Sequence, residues 1–284
     1  MSADEEGVLY LAFGYEYVVE AVLSLLSLRY HHPDLPASLL TNLAIAEDNP
    51  GGIFEGVEYF DEVITVDAEN GENRHYKTSL VEYTPYERTL YLDADTYIEN
   101  DITAGFAYVD AEFEMTVRPV EYPLGPDHHH FEDLEMNIRG LPLHEHSYYN
   151  TGVIFFDDSD ETVEFFRAWN ETYREIAHPY DAISFLQTTF ETDVRIYPLN
   201  QTWNKNKQGH IDPRSLDRLR VYHYMEPHRN AEILAEIRRV EREIPDAFFP
   251  EASTHQLEAW RGSSWNSERR TSLLDRLLQW VSGR

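Results

Sequence analysis

A chain of 284 residues can bury a full α/β core, and its lack of cysteine excludes a disulfide framework, a zinc ribbon and a thiol nucleophile. Its formal charge of −29 argues against non-specific binding to nucleic acid, whose phosphates it would repel. The acidic start, MSADEEG, and the absence of any apolar run of about 18 residues predict a soluble, cytoplasmic protein.

Residues 8–13 (VLYLAF) predict a first strand, with Gly14 as a turn. Residues 16–30 place Val18, Val22, Leu25 and Leu26 at helical spacing, and Pro33 and Pro36 end that helix. A second strand is expected over residues 38–45 (SLLTNLAI), a loop at Asn49-Pro50-Gly51-Gly52, and a third strand over 62–66 (EVITV). Residues 77–83 read as a short helix before Pro85, and the run TLYL from Thr89 as the fourth strand. This alternation predicts a parallel sheet with crossover helices, a Rossmann-like first half.

Beyond Asp101, residues 112–117 predict a strand, followed by a long polar stretch, 119–146, read as a mobile binding loop carrying His128, His129 and His130. Residues 149–156 return to the sheet. A helix is expected from 158 to 177, with Asp158 and Glu161 spaced as a capping box. A second helix (180–187), a strand (194–197), a short strand (221–224) and two C-terminal helices (231–240 and 272–281) complete the reading. The last of these is amphipathic and fits packing on the body, a second subunit or a membrane face. From Arg229 onward nine Arg balance nine acidic residues, so the excess lies earlier, 14 basic against 43 acidic residues. With lysine confined to Lys77, Lys205 and Lys207, this carboxylate-rich composition resembles proteins of salt-loving microbes. A simply acidic protein is the alternative.

Asp93 and Asp95 flank Ala94 at the end of the fourth strand. Alternation in an extended segment turns both carboxylates one way and Ala94 the other. Carboxylates converging at the carboxyl end of a strand lie where open α/β sheets bind ligands, and two such charges at close range call for a cation. Taken alone, the pair is equally suited to capping a turn. A second Asp-x-Asp, Asp158 and Asp160, falls at a helix start, where carboxylates favour the positive dipole end, and reads as structural. The triple histidine has no fixed register with partner carboxylates and reads as a solvated loop.

Five segments in order carry a more specific signal: YLAFGYEYVVEAVLSLLSLRYHHPDLP, HYKTSLVEYTPYERTLYLDADTYIEND, NTGVIFF, DAISFLQ, and LNQTWN followed by VYHYMEPHR. Together they resemble glycosyltransferases of the GT-A fold, particularly the retaining family 8 group of glycogenin-like and bacterial galactosyltransferase-like enzymes. The resemblance spans roughly residues 8–229. It implies an α/β fold with a mixed central sheet flanked by helices. Residues 1–228 would form the catalytic domain, its nucleotide-binding half about 1–101 and its acceptor half about 102–228. Residues 229–284 would add a helical extension.

The resemblance also assigns roles. Asp93, Asp95 and His223 would hold Mn²⁺ (or Mg²⁺), with Asp93 also at the ribose of the donor. Two hard oxygens and one imidazole suit Mn²⁺ better than cations that prefer oxygen throughout. Ala12, Phe13 and Gly14 would meet the uracil, with Tyr17 placed to stack on it, and Arg74 and Lys77 would face the donor. Arg229 stands where the family has the lysine that grips the diphosphate, and Glu226 where it has a glycine. Asn150 and Asp181 would be catalytic, while Thr151, Gly152, Trp203 and Asn204 would contact sugar or acceptor. Ala182 replaces the glutamine of the family's Asp-Gln pair. The implied partners are a UDP-sugar and a glycan, lipid-linked or protein acceptor, with a homo-oligomer or peripheral membrane contact through the C-terminal helix. Transfer with retention follows from the resemblance alone. An inverting enzyme, a non-catalytic sugar-nucleotide or glycan-binding module, and a nucleotidyltransferase are the alternatives. The last lacks its Gly-rich phosphate loop here.

Overall fold

Alternation along the strands gives the main sheet two apolar faces, and each recruits its own helices. The computed structural model describes residues 4–42, 59–109, 112–120, 136–205 and 218–223. Four strands, β1 (Asp4–Leu11), β2 (Ala37–Thr41), β3 (Glu62–Thr65) and β4 (Tyr86–Asp93), run parallel in the order β3-β2-β1-β4. That is the parallel first half expected from the sequence. The sheet then turns mixed. β9 (Tyr149–Asp157) pairs antiparallel with β4 on one side and with β6 (Met115–Pro119) on the other. β10 (Ile196–Pro198) ends the seven-stranded order, parallel to β6. β5 (Thr96–Ile98) and β11 (Val221–His223) form a separate antiparallel ribbon, and β7 (Asn137–Ile138) pairs with β8 (Leu141–Pro142).

One face of the sheet, with Val8, Tyr10, Leu90, Leu92 and Phe155, packs on α1 (Tyr15–His31) and α3 (Phe106–Val109). The other, with Leu9, Leu11, Tyr91, Ile154 and Phe156, packs on Phe165, Phe166 and Trp169 of α4 (Asp160–Ile176) and Phe185 of α5 (Asp181–Thr188). Burying an aromatic or aliphatic side chain on this scale contributes about 1.5–3 kcal/mol each, so burial of both faces holds the layers together.

Two local expectations are corrected. The short helix α2 spans Asn73–Lys77, not 77–83, with a 3₁₀ turn over Leu80–Glu82 after it. Asn170 of α4 donates to the His75 carbonyl, which a continuing helix would need for Ser79, and the Ser79 N–H turns to Tyr76. The cap of α4 is Ser159 rather than Asp158: its hydroxyl accepts from the Thr162 N–H, and Asp157 accepts from the hydroxyls of Ser159 and Thr162. The loop at 49–52, the triple histidine and the two C-terminal helices lie outside the described residues, as do Glu226 and Arg229. Among the described residues no helix is long and apolar enough to cross a membrane.

Candidate active site

β4 delivers Asp93 at its last position, and the chain turns through Ala94 and Asp95 into β5. Ala94 is buried in the α1-side core, while both carboxylates are partly exposed, the arrangement alternation predicts. The third member comes from a distant part of the chain: β11 pairs with β5 so that His223 lies opposite Thr96. One atom each of Asp93, Asp95 and His223 lies within 4.8 Å of the others. His223 Nε2 stands 3.1 Å from Asp95 Oδ1 and 3.6 Å from Asp93 Oδ2. Burial pushes the His223 imidazole down, but Asp95 and Asp93 outweigh it and hold the ring above its ordinary value. Burial likewise pushes Asp95 up, and His223, a backbone hydrogen bond and Lys77 together outweigh it, so this carboxyl stays below the usual range.

These groups suit a divalent cation. Two carboxylates and an imidazole converge, and the backbone makes room for them at Gly152. A Cβ there would lie 2.6 Å from His223 Nδ1 and 2.8 Å from Asp93 Oδ2, and closer still to His223 Cε1. Only glycine lets β9 pass that near.

A second charged cluster adjoins the first. The Lys77 ammonium, buried at the end of α2, lies 2.9 Å from Asp93 Oδ1 and 3.3 Å from Asp181 Oδ2. Burial pushes Lys77 down, and Asp181 and Asp93 outweigh it, so the amine stays charged. Asp181 opens α5 and is itself buried. Thr151 donates to its Oδ2 at 2.6 Å, and Arg74 Nε sits 3.8 Å from Oδ1. Burial raises the Asp181 carboxyl, but Lys77, Thr151 and Arg74 together hold it below the ordinary range. Tyr91, expected only as part of the fourth strand, donates its hydroxyl to Asp93 Oδ1 at 2.5 Å. The signal was available in the period of two, since Tyr91 and Asp93 share a face.

The remaining predicted residues divide. Ala12, Phe13 and Gly14 lie buried at the end of β1, with the Gly14 N–H donating to Asn42 Oδ1 and φ at +84°, a left-handed conformation that favours glycine. Tyr17, on the first turn of α1, is exposed and free to meet a planar base. Asn150, Thr151 and Gly152 run along β9 past the carboxylates. Asn204 is buried and bonded to Asn150 and His223. Trp203 is buried in the α1-side core, edge-on to Phe155 and beneath the Arg220 guanidinium.

Comparison with protein-family models and with curated proteins found no match. Solved structures do match, and the class that they define is the GT-A fold of glycosyltransferases. The chain is similar to the galactosyltransferase LgtC, crystallised with donor and acceptor sugar analogues, at 16% identity and a TM-score of 0.55 over 83% of this chain and 94% of that one. It is similar to the glycosyltransferase GlyE of Streptococcus pneumoniae at 14% identity and a TM-score of 0.60, over 88% of this chain and 64% of GlyE. Mouse xyloside xylosyltransferase 1 matches at 15% identity and a TM-score of 0.50, over 78% of this chain and 98% of the mouse chain. At such identities the likeness is one of fold.

Proposed function

We propose that the protein is a metal-dependent glycosyltransferase that moves a hexose from a nucleotide-diphosphate sugar, with UDP the nucleotide, to a glycan, lipid-linked or protein acceptor. The observation that carries this reading is the meeting of Asp93, Asp95 and His223 from two separated strands at the carboxyl end of β4. Mn²⁺, when bound, supplies positive charge where negative charge develops on the departing diphosphate. Asp93, Asp95 and His223 would hold it.

The chain's own residues supply the rest. Asp181 is kept ionised by Lys77 and Thr151, so its oxygens accept hydrogen bonds from sugar hydroxyls. Transfer with retention is the outcome the resemblance implies, with Asp181 binding the sugar; in an inverting enzyme Asp181 would be the base for the acceptor hydroxyl. Lys77 fixes the separation of Asp93 and Asp181 by bridging them. The exposed Tyr17 would offer the base a ring, at the turn that Gly14 makes after β1. Asn150 and Thr151 would line the path of the sugar beside Asp181.

The test incubates the parent and Asp95→Ala with a panel of UDP-sugars and Mn²⁺, following UDP release and the thermal stabilisation given by UDP. The parent is expected to release UDP. Asp95→Ala should keep its fold and lose about 10²–10³-fold in rate. Parental rates in the variant would refute the metal site, and stabilisation by UDP without any release would point to a binding module instead. The anomeric proton of the product, read by NMR, checks retention.

A further inference from the structure

The hydrogen bonds behind His223 have a determined direction. The Gly152 N–H can only donate, and it meets Asn150 Oδ1 at 3.1 Å, so that oxygen is an acceptor. Asn204 faces this oxygen at 3.1 Å and the Asn150 carbonyl at 3.2 Å, so the atom turned toward them is Nδ2, which donates to both. Its Oδ1 therefore faces His223 Nδ1, at 3.1 Å. An amide oxygen only accepts, so Nδ1 carries the proton. Nε2 is left as the ring atom that faces Asp93 and Asp95.

The backbone around Asn204 is held as firmly as its amide. Its carbonyl accepts from the buried Arg118 Nη1 at 2.8 Å. The next residue, Lys205, donates its N–H to the Val221 carbonyl at 2.9 Å and accepts from the His223 N–H at 2.8 Å. Asn204 is 0% exposed, so its side chain does not reach a sugar, whatever Trp203 and its neighbours contribute to an acceptor pocket.

We propose that Asn204 is a positioning residue for the metal site: its amide oxygen sets the tautomer and ring angle of His223, and its amide nitrogen ties that imidazole to Asn150 on the sugar-facing strand. This rests on the metal reading of Asp93, Asp95 and His223 given above. Partners of this kind behind a ligating histidine typically account for about 10–100-fold in metal affinity.

The experiment titrates Mn²⁺ in the presence of saturating UDP and reads free Mn²⁺ by electron paramagnetic resonance, in the parent, Asn204→Leu, His223→Ala and the double variant. Asn204→Leu is expected to weaken Mn²⁺ by about 10–100-fold. It should add no weakening in the His223→Ala background, because the amide acts through the ring. A folded Asn204→Leu with parental Mn²⁺ affinity, beside a weakened His223→Ala, would overturn this inference and leave the metal site standing. A parent that binds no Mn²⁺, or a His223→Ala that binds it as the parent does, would overturn both. One further measurement needs no variant to fold. In the parent labelled with ¹⁵N-histidine and loaded with UDP and Mg²⁺, the His223 ring proton is expected on Nδ1. A proton on Nε2 would overturn the proposal.

Discussion

Replacing Lys77 by methionine keeps the length of the side chain and removes the cation that lies between Asp93 and Asp181. The structure allows a magnitude. The Lys77 side chain is 8% exposed, and those of Asp93 and Asp181 are 25% and 12% exposed, so both pairs are largely removed from water. Removing one partner of a buried pair costs about 3–5 kcal/mol, and the partial exposure of Asp93 places Lys77→Met near the lower end, about 3 kcal/mol. At roughly 2–4 °C per kcal/mol for a domain of this size, the melting temperature should fall by roughly 6–12 °C. The loss has a pH signature. In the parent, Asp181 is held below its unfolded value, so its contribution is present at neutral pH and disappears as pH falls through the folded value. Without Lys77 the largest of the influences that lower Asp181 is gone, so its carboxyl rises from where the parent holds it. The difference between parent and variant should therefore be greatest at pH 7 and shrink toward pH 3, as pH falls from the variant's carboxyl range into the parent's lower one. Urea unfolding of both proteins at the two pH values checks this. A gap below about 1 kcal/mol, the range of an exposed pair, or one that does not change with pH, would refute the reasoning.

Gly152→Ala is expected to cost about 1–3 kcal/mol of stability through overpacking. Because the new methyl meets the His223 ring and Asp93, it should also abolish the extra melting temperature gained from UDP with Mn²⁺. A variant with parental melting and parental metal dependence would show that β9 has room to spare. His32 receives the Ile102 N–H on Nε2 at 3.1 Å, and burial holds its imidazole below its ordinary value in spite of Asp101. Its contribution is thus present above that value and lost as pH falls through the lowered folded one. His32→Gln, which keeps an acceptor for Ile102, should flatten that part of the stability profile between pH 7 and 5, measured as the difference from the parent. An unchanged profile would assign the step to other groups.

The sequence made the parallel half legible because strands buried on both faces are near-continuous apolar runs, as in VLYLAF and TLYL. Asp93 and Asp95 stood out for the same reason, as charges at the end of such a run. What it could not supply was pairing across distance. Nothing local to NTGVIFF says that β9 enters between β4 and β6 with reversed direction. That insertion brings Gly152 against His223. Lys77 read equally well as a surface lysine, since burial of a cation is decided by Asp93 and Asp181, 16 and 104 positions away. Asn204 carried no signal beyond its place in the Trp-Asn pair. Its role depends on Asn150 of β9 and His223 of β11, and no spacing in the chain encodes them.

The geometry of the carboxylate turn also depends on a helix that supplies none of the three converging groups. α1 is apolar on much of its surface, yet it buries Ser24 and Ser27, two residues that would weaken a helix judged by propensity alone. Ser27 accepts the Ile98 N–H at 2.9 Å, and Ser24 shares a 2.8 Å hydrogen bond with Thr96. The Thr96 hydroxyl in turn reaches the Asp93 carbonyl at 2.8 Å. These bonds satisfy buried groups that the short ribbon of β5 and β11 leaves unpaired, because a two-stranded ribbon lacks the neighbours of a sheet interior. They also fix β5 against the body, and with it the turn that aims Asp95 and the register that places His223 opposite Thr96. The serines are therefore explained by the site rather than by the helix. Local preference is set aside in α1 because the ribbon it supports carries two of the three groups that meet at the end of β4, Asp95 beside one strand and His223 on the other.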